Sequence, residues 1–353
     1  MNKNCYFASV NTSDGFKSYF DDIFDSSVLD SLYIIKGGSG TGKSTMMKKI
    51  GRGFENVFNV EYFQCSSDPE SVDGIIIDGR KAIIDGTAPH TADPKYPGVS
   101  DKIVNLGGCL DACLLKSYKK EIVSLSFDKQ QSYKKGYGYL SAAGKIKREM
   151  TDMCMNDFMH EKMRSAAERF FYQHNYKGEE NKKSIRLIES VSSDGVVRLN
   201  TFDSISEKTC LIINGHGLEY LLMEEFAKIS FARRLSLVQS FDPILPDRYN
   251  ALYFPDIKLS VICSNGEEDI YDEKYKVFNM ERFISRCTLN TNRTKLRFAN
   301  KCISSLVQGA SDCFAEAKEI HEKIEEIYKE AVDFKKVNTI GDEMYKEISS
   351  IIT

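Results

Sequence analysis

The chain has 353 residues, 42% hydrophobic and 28% charged, with 48 Lys and Arg against 51 Asp and Glu for a net charge of -3. That length suits two domains, each with a core of its own, and the composition excludes a long disordered chain or a collagen-like repeat. The near balance of charge gives no global field for nucleic acid or an anionic membrane, so neither is expected as a partner.

An Asp14-Gly15 turn signal opens the chain inside Ala8–Phe16 and returns at Asp194-Gly195 inside Glu189–Val196, 180 residues later. Next, Leu32-Tyr33-Ile34-Ile35 reads as a short buried strand. It runs into Gly37-Gly38-Ser39-Gly40-Thr41-Gly42-Lys43-Ser44, which fits G-x-x-x-x-G-K-[ST] in full, and Thr45 to Ile50 continue as a helix. Glycines in such a loop let backbone N–H groups turn inward around phosphate oxygens, and the helix points its positive end at them. Lys43 is expected to reach the β- and γ-phosphates, and the Ser44 hydroxyl to ligate Mg²⁺ with Thr45 beside it.

Asn59 to Cys65 reads as a strand, followed by Asp68-Pro69. Asp68 is a candidate to orient an attacking water or acceptor hydroxyl, although Asp-Pro is also a common turn starter and the pair recurs at Asp242-Pro243. Gly74 to Asp78 and Lys81 to Asp85 are apolar runs ending in Asp, joined by Gly79-Arg80, the pattern of a hairpin. A Mg²⁺-nucleotide site needs a carboxylate at a neighbouring strand end. Asp85 is favoured over Asp78, because an irregular loop suited to the carboxyl edge of a sheet follows it. That loop holds Pro89, Pro94 and Pro97, and its His90 is a candidate to polarise water or meet a phosphate; a hydrogen-bonded loop histidine explains it as well.

Residues 109–178 read as a helical extension with 13 Lys and Arg against 8 Asp and Glu, a candidate lid over phosphates, although a solvated helical face is the commoner origin of such a bias. The polar run Tyr176–Lys183 marks a linker. Beyond it the pattern repeats in order: Leu211-Ile212-Ile213 matches Tyr33-Ile34-Ile35, and Gln239–Pro243 matches Gln64–Pro69. The second loop has lost its chemistry, with Leu218 where the lysine belongs and Glu219 where the metal hydroxyl belongs. Lys258–Cys263 ends in Cys rather than Asp. A second helical extension over 288–353 carries an apolar stripe through Phe314, Ala317, Ile320, Ile324 and Ile327.

The expected organisation is therefore α/β, two tandem P-loop NTPase-like domains with mainly parallel sheets, 1–180 active and 181–353 a degenerate pseudo-domain. Ten cysteines without Cys-x-x-Cys pairs read as reduced core residues, and the five histidines lack zinc spacing, so no structural metal is expected. No apolar run approaches the roughly 18 residues of a membrane span. The N-terminus carries no export signal, and a cytoplasmic setting is expected.

Gly37 to Thr45, Asp68-Pro69, Asp85-Gly86-Thr87-Ala88-Pro89-His90 and Asp93-Pro94-Lys95-Tyr96-Pro97-Gly98 together resemble an uncharacterised bacterial family of tandem P-loop ATPase-like proteins. The resemblance covers most of the chain and implies ATP as the nucleotide. Three readings follow: a Mg²⁺-dependent ATPase, a small-molecule phosphotransferase, or a nucleotide-gated adaptor whose second half and helices meet a protein partner.

Overall fold

A computed structural model describes residues 4–156, 159–172, 177–264 and 273–352. Its first half runs β1 (Asn4–Phe7), β2 (Ser9–Thr12), β3 (Gly15–Ser18), α1 (Phe20–Ile23), β4 (Ser31–Lys36) and α2 (Lys43–Phe54). β5 (Val60–Gln64), β6 (Val72–Ile77), β7 (Lys81–Asp85) and β8 (Asp101–Asn105) complete its sheet. Three helices follow: α3 (Ala112–Ser117), α4 (Lys119–Cys154) and α5 (Met159–Tyr172). The second half begins β9 (Lys183–Ile185), β10 (Glu189–Ser192), β11 (Gly195–Arg198), α6 (Thr201–Ile205), β12 (Lys208–Ile213) and α7 (Glu219–Ala232). It continues through β13 (Leu237–Phe241), β14 (Tyr249–Phe254), β15 (Leu259–Cys263) and β16 (Tyr275–Asn279) to α8 (Arg286–Glu330) and α9 (Phe334–Ile352).

The two six-stranded sheets have one topology. Strand order is β1-β5-β6-β7-β4-β8 in the first and β9-β13-β14-β15-β12-β16 in the second. Matching pairs also share their sense: β4 is parallel to β7 and β8 as β12 is to β15 and β16, while β6 and β14 run antiparallel to both neighbours. Each sheet is thus mixed, with a parallel side that carries the strand leading into α2 or α7. The β6–β7 hairpin anticipated at Gly79 turns through Asp78 and Gly79, both at positive φ (53° and 66°), in a three-residue loop closed by Arg80 N donating to Ile77 O at 3.1 Å.

Alternation along the strands sends Leu32 and Ile34 of β4 into the core between the sheets, and Tyr33 and Ile35 into the core under α2. α2 buries Met46, Met47, Ile50 and Phe54, one helical stripe, against that second face.

The long helices do not pack on their own halves alone. Val337, Met344 and Ile348 of α9 complete the core of α2 and the first sheet. Met163, Ala167, Phe170 and Phe171 of α5 complete the core of α7 and the second sheet. α4 and α8 lie against each other, with Phe314 fully buried among Leu140, Ala143 and Val307. A Cβ on Gly136 would stand 2.5 Å from the Phe314 ring, so glycine permits the close approach. Burying that one ring contributes about 1.5–3 kcal/mol. The division near residue 180 follows the repeat, and packing crosses it: each half completes its core with a helix from the other. Gly178, in the stretch read as a linker, donates its N–H to Arg233 O at 3.0 Å, so that part is packed; residues 173–176 lie outside the described residues. Among the described residues no helix is long and apolar enough to cross a membrane.

Candidate functional site

β4 delivers the chain at Lys36 to the edge of the first sheet, and α2 starts at Lys43, so Gly37–Gly42 form the turn between them. Gly42 is the helix N-cap at φ 86°, and no side chain caps the helix, so no side chain competes for its first N–H groups. Lys43 folds back over the loop, its Nζ donating to Gly38 O at 2.7 Å and Gly37 O at 3.2 Å. Thr41 Oγ1 donates to Gly38 O at 2.9 Å and pins the loop from inside. The Ser44 hydroxyl oxygen accepts the N–H of Val72 at 2.9 Å.

Asp85 ends β7 directly beside β4, paired in register with Ile35. Its Oδ2 lies 3.5 Å from Lys43 Nζ, and Thr87 N donates to its Oδ1 at 2.8 Å. Thr87 Oγ1 in turn donates to Gly37 O at 3.1 Å, tying the segment after Asp85 to the loop. Asp78 sits at the far end of the hairpin, bonded to Arg80 at 3.0 Å. The topology therefore brings together Lys43, Ser44 and Asp85 and leaves Asp78 outside.

His90 and Asp68 sit differently. His90 is buried, stacked on Phe20 at 4.5 Å and edge-on to Phe16 at 5.1 Å, with Nε2 3.1 Å from Asp73. The ring contacts this aromatic cluster and Asp73, and the His90 backbone N–H donates to Thr87 O at 2.9 Å, which is the hydrogen-bonded loop histidine of the two roles the sequence allowed, and not the one that polarises water. Asp68 makes the turn its Asp-Pro pair signals, accepting Ser71 N at its carbonyl at 2.8 Å. Its carboxylate is held by Lys318 of α8 at 2.9 Å, which engages the group considered for orienting a nucleophile.

α8 crosses the outer side of the loop. A Cβ at Gly38 would stand 2.5 Å from the Tyr328 ring, and one at Gly40 2.8 Å from Glu325 O, so both glycines are there because a helix lies on them. One turn earlier, His321 Nδ1 faces Lys129 Nζ of α4 at 3.3 Å. His321 Nε2 lies 3.6 Å from Glu325, so the ring sits between a lysine and a carboxylate. Burial, and then the charge of Lys129, hold His321 below the usual histidine range, with Lys43 adding in the same direction. Burial likewise lowers Lys129. Nothing local in the sequence marks these two residues; they are two positions on long helices that only their crossing brings together.

The second loop shows what became of the same arrangement. Asn214 and His216 take positive φ (54° and 50°), and Leu218 is fully buried where a lysine would stand. A Cβ on Gly215 would fall 2.0 Å from the Glu219 carboxyl carbon, so Glu219 folds onto its own loop. On the outside, Gly217 O accepts from Arg248 Nη1 at 2.9 Å and from Thr151 Oγ1 of α4 at 3.1 Å. Burial works against the charge of Lys147 on α4, but Asp242 and Glu219 outweigh it and raise its pKa. Lys147 pairs directly with Asp242, and Glu219 occupies the space over Gly215, so this loop is filled by the protein's own side chains.

Comparison with protein-family models, curated proteins and solved structures found no match for the chain.

Proposed function

We infer that the first half binds a magnesium nucleoside triphosphate, ATP by the resemblance of its motifs, and hydrolyses it. The observation that carries this reading is the complete loop motif with Lys43 Nζ facing Asp85 at 3.5 Å across adjacent parallel strand ends. In this reading the α2 N-terminus and loop N–H groups take the inner phosphates, and Lys43 exchanges its bonds to Gly37 and Gly38 for the outer ones. The Ser44 hydroxyl and the Asp85 carboxylate are both hard oxygen donors, the kind Mg²⁺ uses beside phosphate and water oxygens, and they would hold it. Magnesium, when bound, neutralises charge on the β- and γ-phosphates.

In this reading Lys129 and His321, hydrogen-bonded to each other at 3.3 Å where the two long helices cross, meet the charge of the terminal phosphate. α4 and α8 would then register the presence of the γ-phosphate and loosen on its loss. A phosphate-release assay with ATP and Mg²⁺ tests the reading. Turnover that disappears in Lys43→Ala is expected; equal ATP binding by wild type and Lys43→Ala would overturn the site.

A further inference from the structure

α9 arrives from the second half and lies alongside α2, leaving between them a groove of about 430 Å³. Gly42 and Thr45 line one end, so the groove opens directly off the phosphate loop; Phe334, Asn338, Met46 and Tyr345 line the rest. We propose that this groove takes the base and ribose of the nucleotide, so that the last helix of the second half completes the binding site of the first. The proposal rests on the triphosphate reading above and adds the location and composition of the nucleoside site.

Three observations argue for that occupant. The groove is continuous with the loop at its α2 side. Lys43 reaches toward Asp85 and the crossing helices with the outer phosphates, so the nucleoside leaves the loop in the other direction, along the first turns of α2. Its volume falls within the 300–1,000 Å³ typical of small-molecule sites and is lined mostly by apolar groups, as a base face requires. Finally, Phe334 is 44% exposed at the start of the helix, which leaves one aromatic ring open to stacking, while Tyr345 packs on Phe54 at 4.9 Å and forms a fixed wall of the groove. Asn338 makes no side-chain hydrogen bond among the described residues, and its amide offers both a donor and an acceptor to a base edge. Lys49 Nζ donates to Asp342 at 2.8 Å, an exposed charge pair that joins the two helices beside the groove.

The arrangement gives the second half a reason to persist without a working loop: through α9 it supplies one wall of the nucleoside site. Calorimetric affinities for ATP and for inorganic triphosphate, each with Mg²⁺, test this in wild type and in a Phe334→Ala/Asn338→Ala variant. Both substituted positions are exposed, and retained binding of inorganic triphosphate reports that the variant is folded. Wild type is expected to bind ATP at least tenfold more tightly than inorganic triphosphate, and the variant to lose that margin while its inorganic triphosphate affinity stays unchanged. A margin preserved in the variant, equal loss of both ligands, or no margin in wild type would overturn the nucleoside groove. Wild type that binds neither ligand would instead remove the triphosphate reading itself.

Discussion

Phe7 and Leu187, 180 residues apart, exchange both backbone hydrogen bonds: Phe7 N donates to Leu187 O at 2.8 Å and Leu187 N to Phe7 O at 3.3 Å. Two equivalent residues that bond reciprocally lie on an approximate twofold axis, as at the centre of a symmetric dimer interface. The rest of the molecule obeys that axis. α8 covers the first loop and α4 the second; α9 packs on α2 and α5 on α7. The chain is organised as a covalently joined pair that has exchanged its C-terminal helices.

Exchange makes each half dependent on the other. Residues 1–180 expressed alone lack α9 and α8, and with them Val337, Met344 and Ile348 of the first core. The fragment is expected to show no cooperative thermal unfolding transition, whereas the full chain does; a fragment with a sharp transition would contradict the exchanged packing. Within the full chain, Ile348→Ala should cost about 2–5 kcal/mol of stability, measured by denaturant titration.

Lys43→Ala removes a charged donor from the phosphate site, which is worth about 1.5–3 kcal/mol, or roughly tenfold to 150-fold in ATP affinity. Leu218→Ala, at the matching place in the second loop, leaves a core cavity and should lower stability by about 2–5 kcal/mol while ATP affinity stays unchanged at saturating fold. Fluorescence titration with a labelled nucleotide separates the two effects.

Asp85→Asn keeps the size of the side chain and removes its charge. Mg²⁺-dependent phosphate release is expected to fall on the order of 100-fold, with nucleotide still bound. Unchanged turnover would remove Asp85 from the metal site.

His321 supplies a pH test. Burial and Lys129 lower its folded pKa, so the unfolded chain binds more protons just below the ordinary histidine value. Its contribution to stability is therefore fully present above about pH 6.5 and is lost as pH falls toward the depressed folded pKa. A phosphate beside it favours the imidazolium, so ATP binding takes up a proton and affinity should rise from pH 7.5 to pH 6. His321→Ala should flatten that slope, measured by calorimetry in buffers of different ionisation enthalpy. Lys129→Ala should narrow the preference for ATP over ADP about tenfold. A slope that survives His321→Ala would show that the ring does not face the phosphate.

The glycine loop, its strand and helix, the hairpin and the position of Asp85 were all legible in the sequence, because each is set by neighbours within a few residues. The 180-residue repeat was legible from Asp14-Gly15 and Asp194-Gly195, and it anticipated the shared strand order. The exchange was not. The apolar stripe through Phe314 and Ile324 says which face of a helix is buried, and nothing in its period says against which half. The choice between the two roles of His90 was undecidable for the same reason, since Phe16, Phe20 and Asp73 enclose it from other segments. Glu219 was legible as a carboxylate on the second loop, but its folding onto Gly215 depends on the loop conformation.

The stoichiometry of Mg²⁺-ATP binding to the full chain, measured by titration calorimetry, tests the central claim most directly. The account predicts one nucleotide per chain, bound roughly tenfold to 150-fold more weakly in Lys43→Ala. Two per chain, or one bound with unchanged affinity in Lys43→Ala, would contradict it.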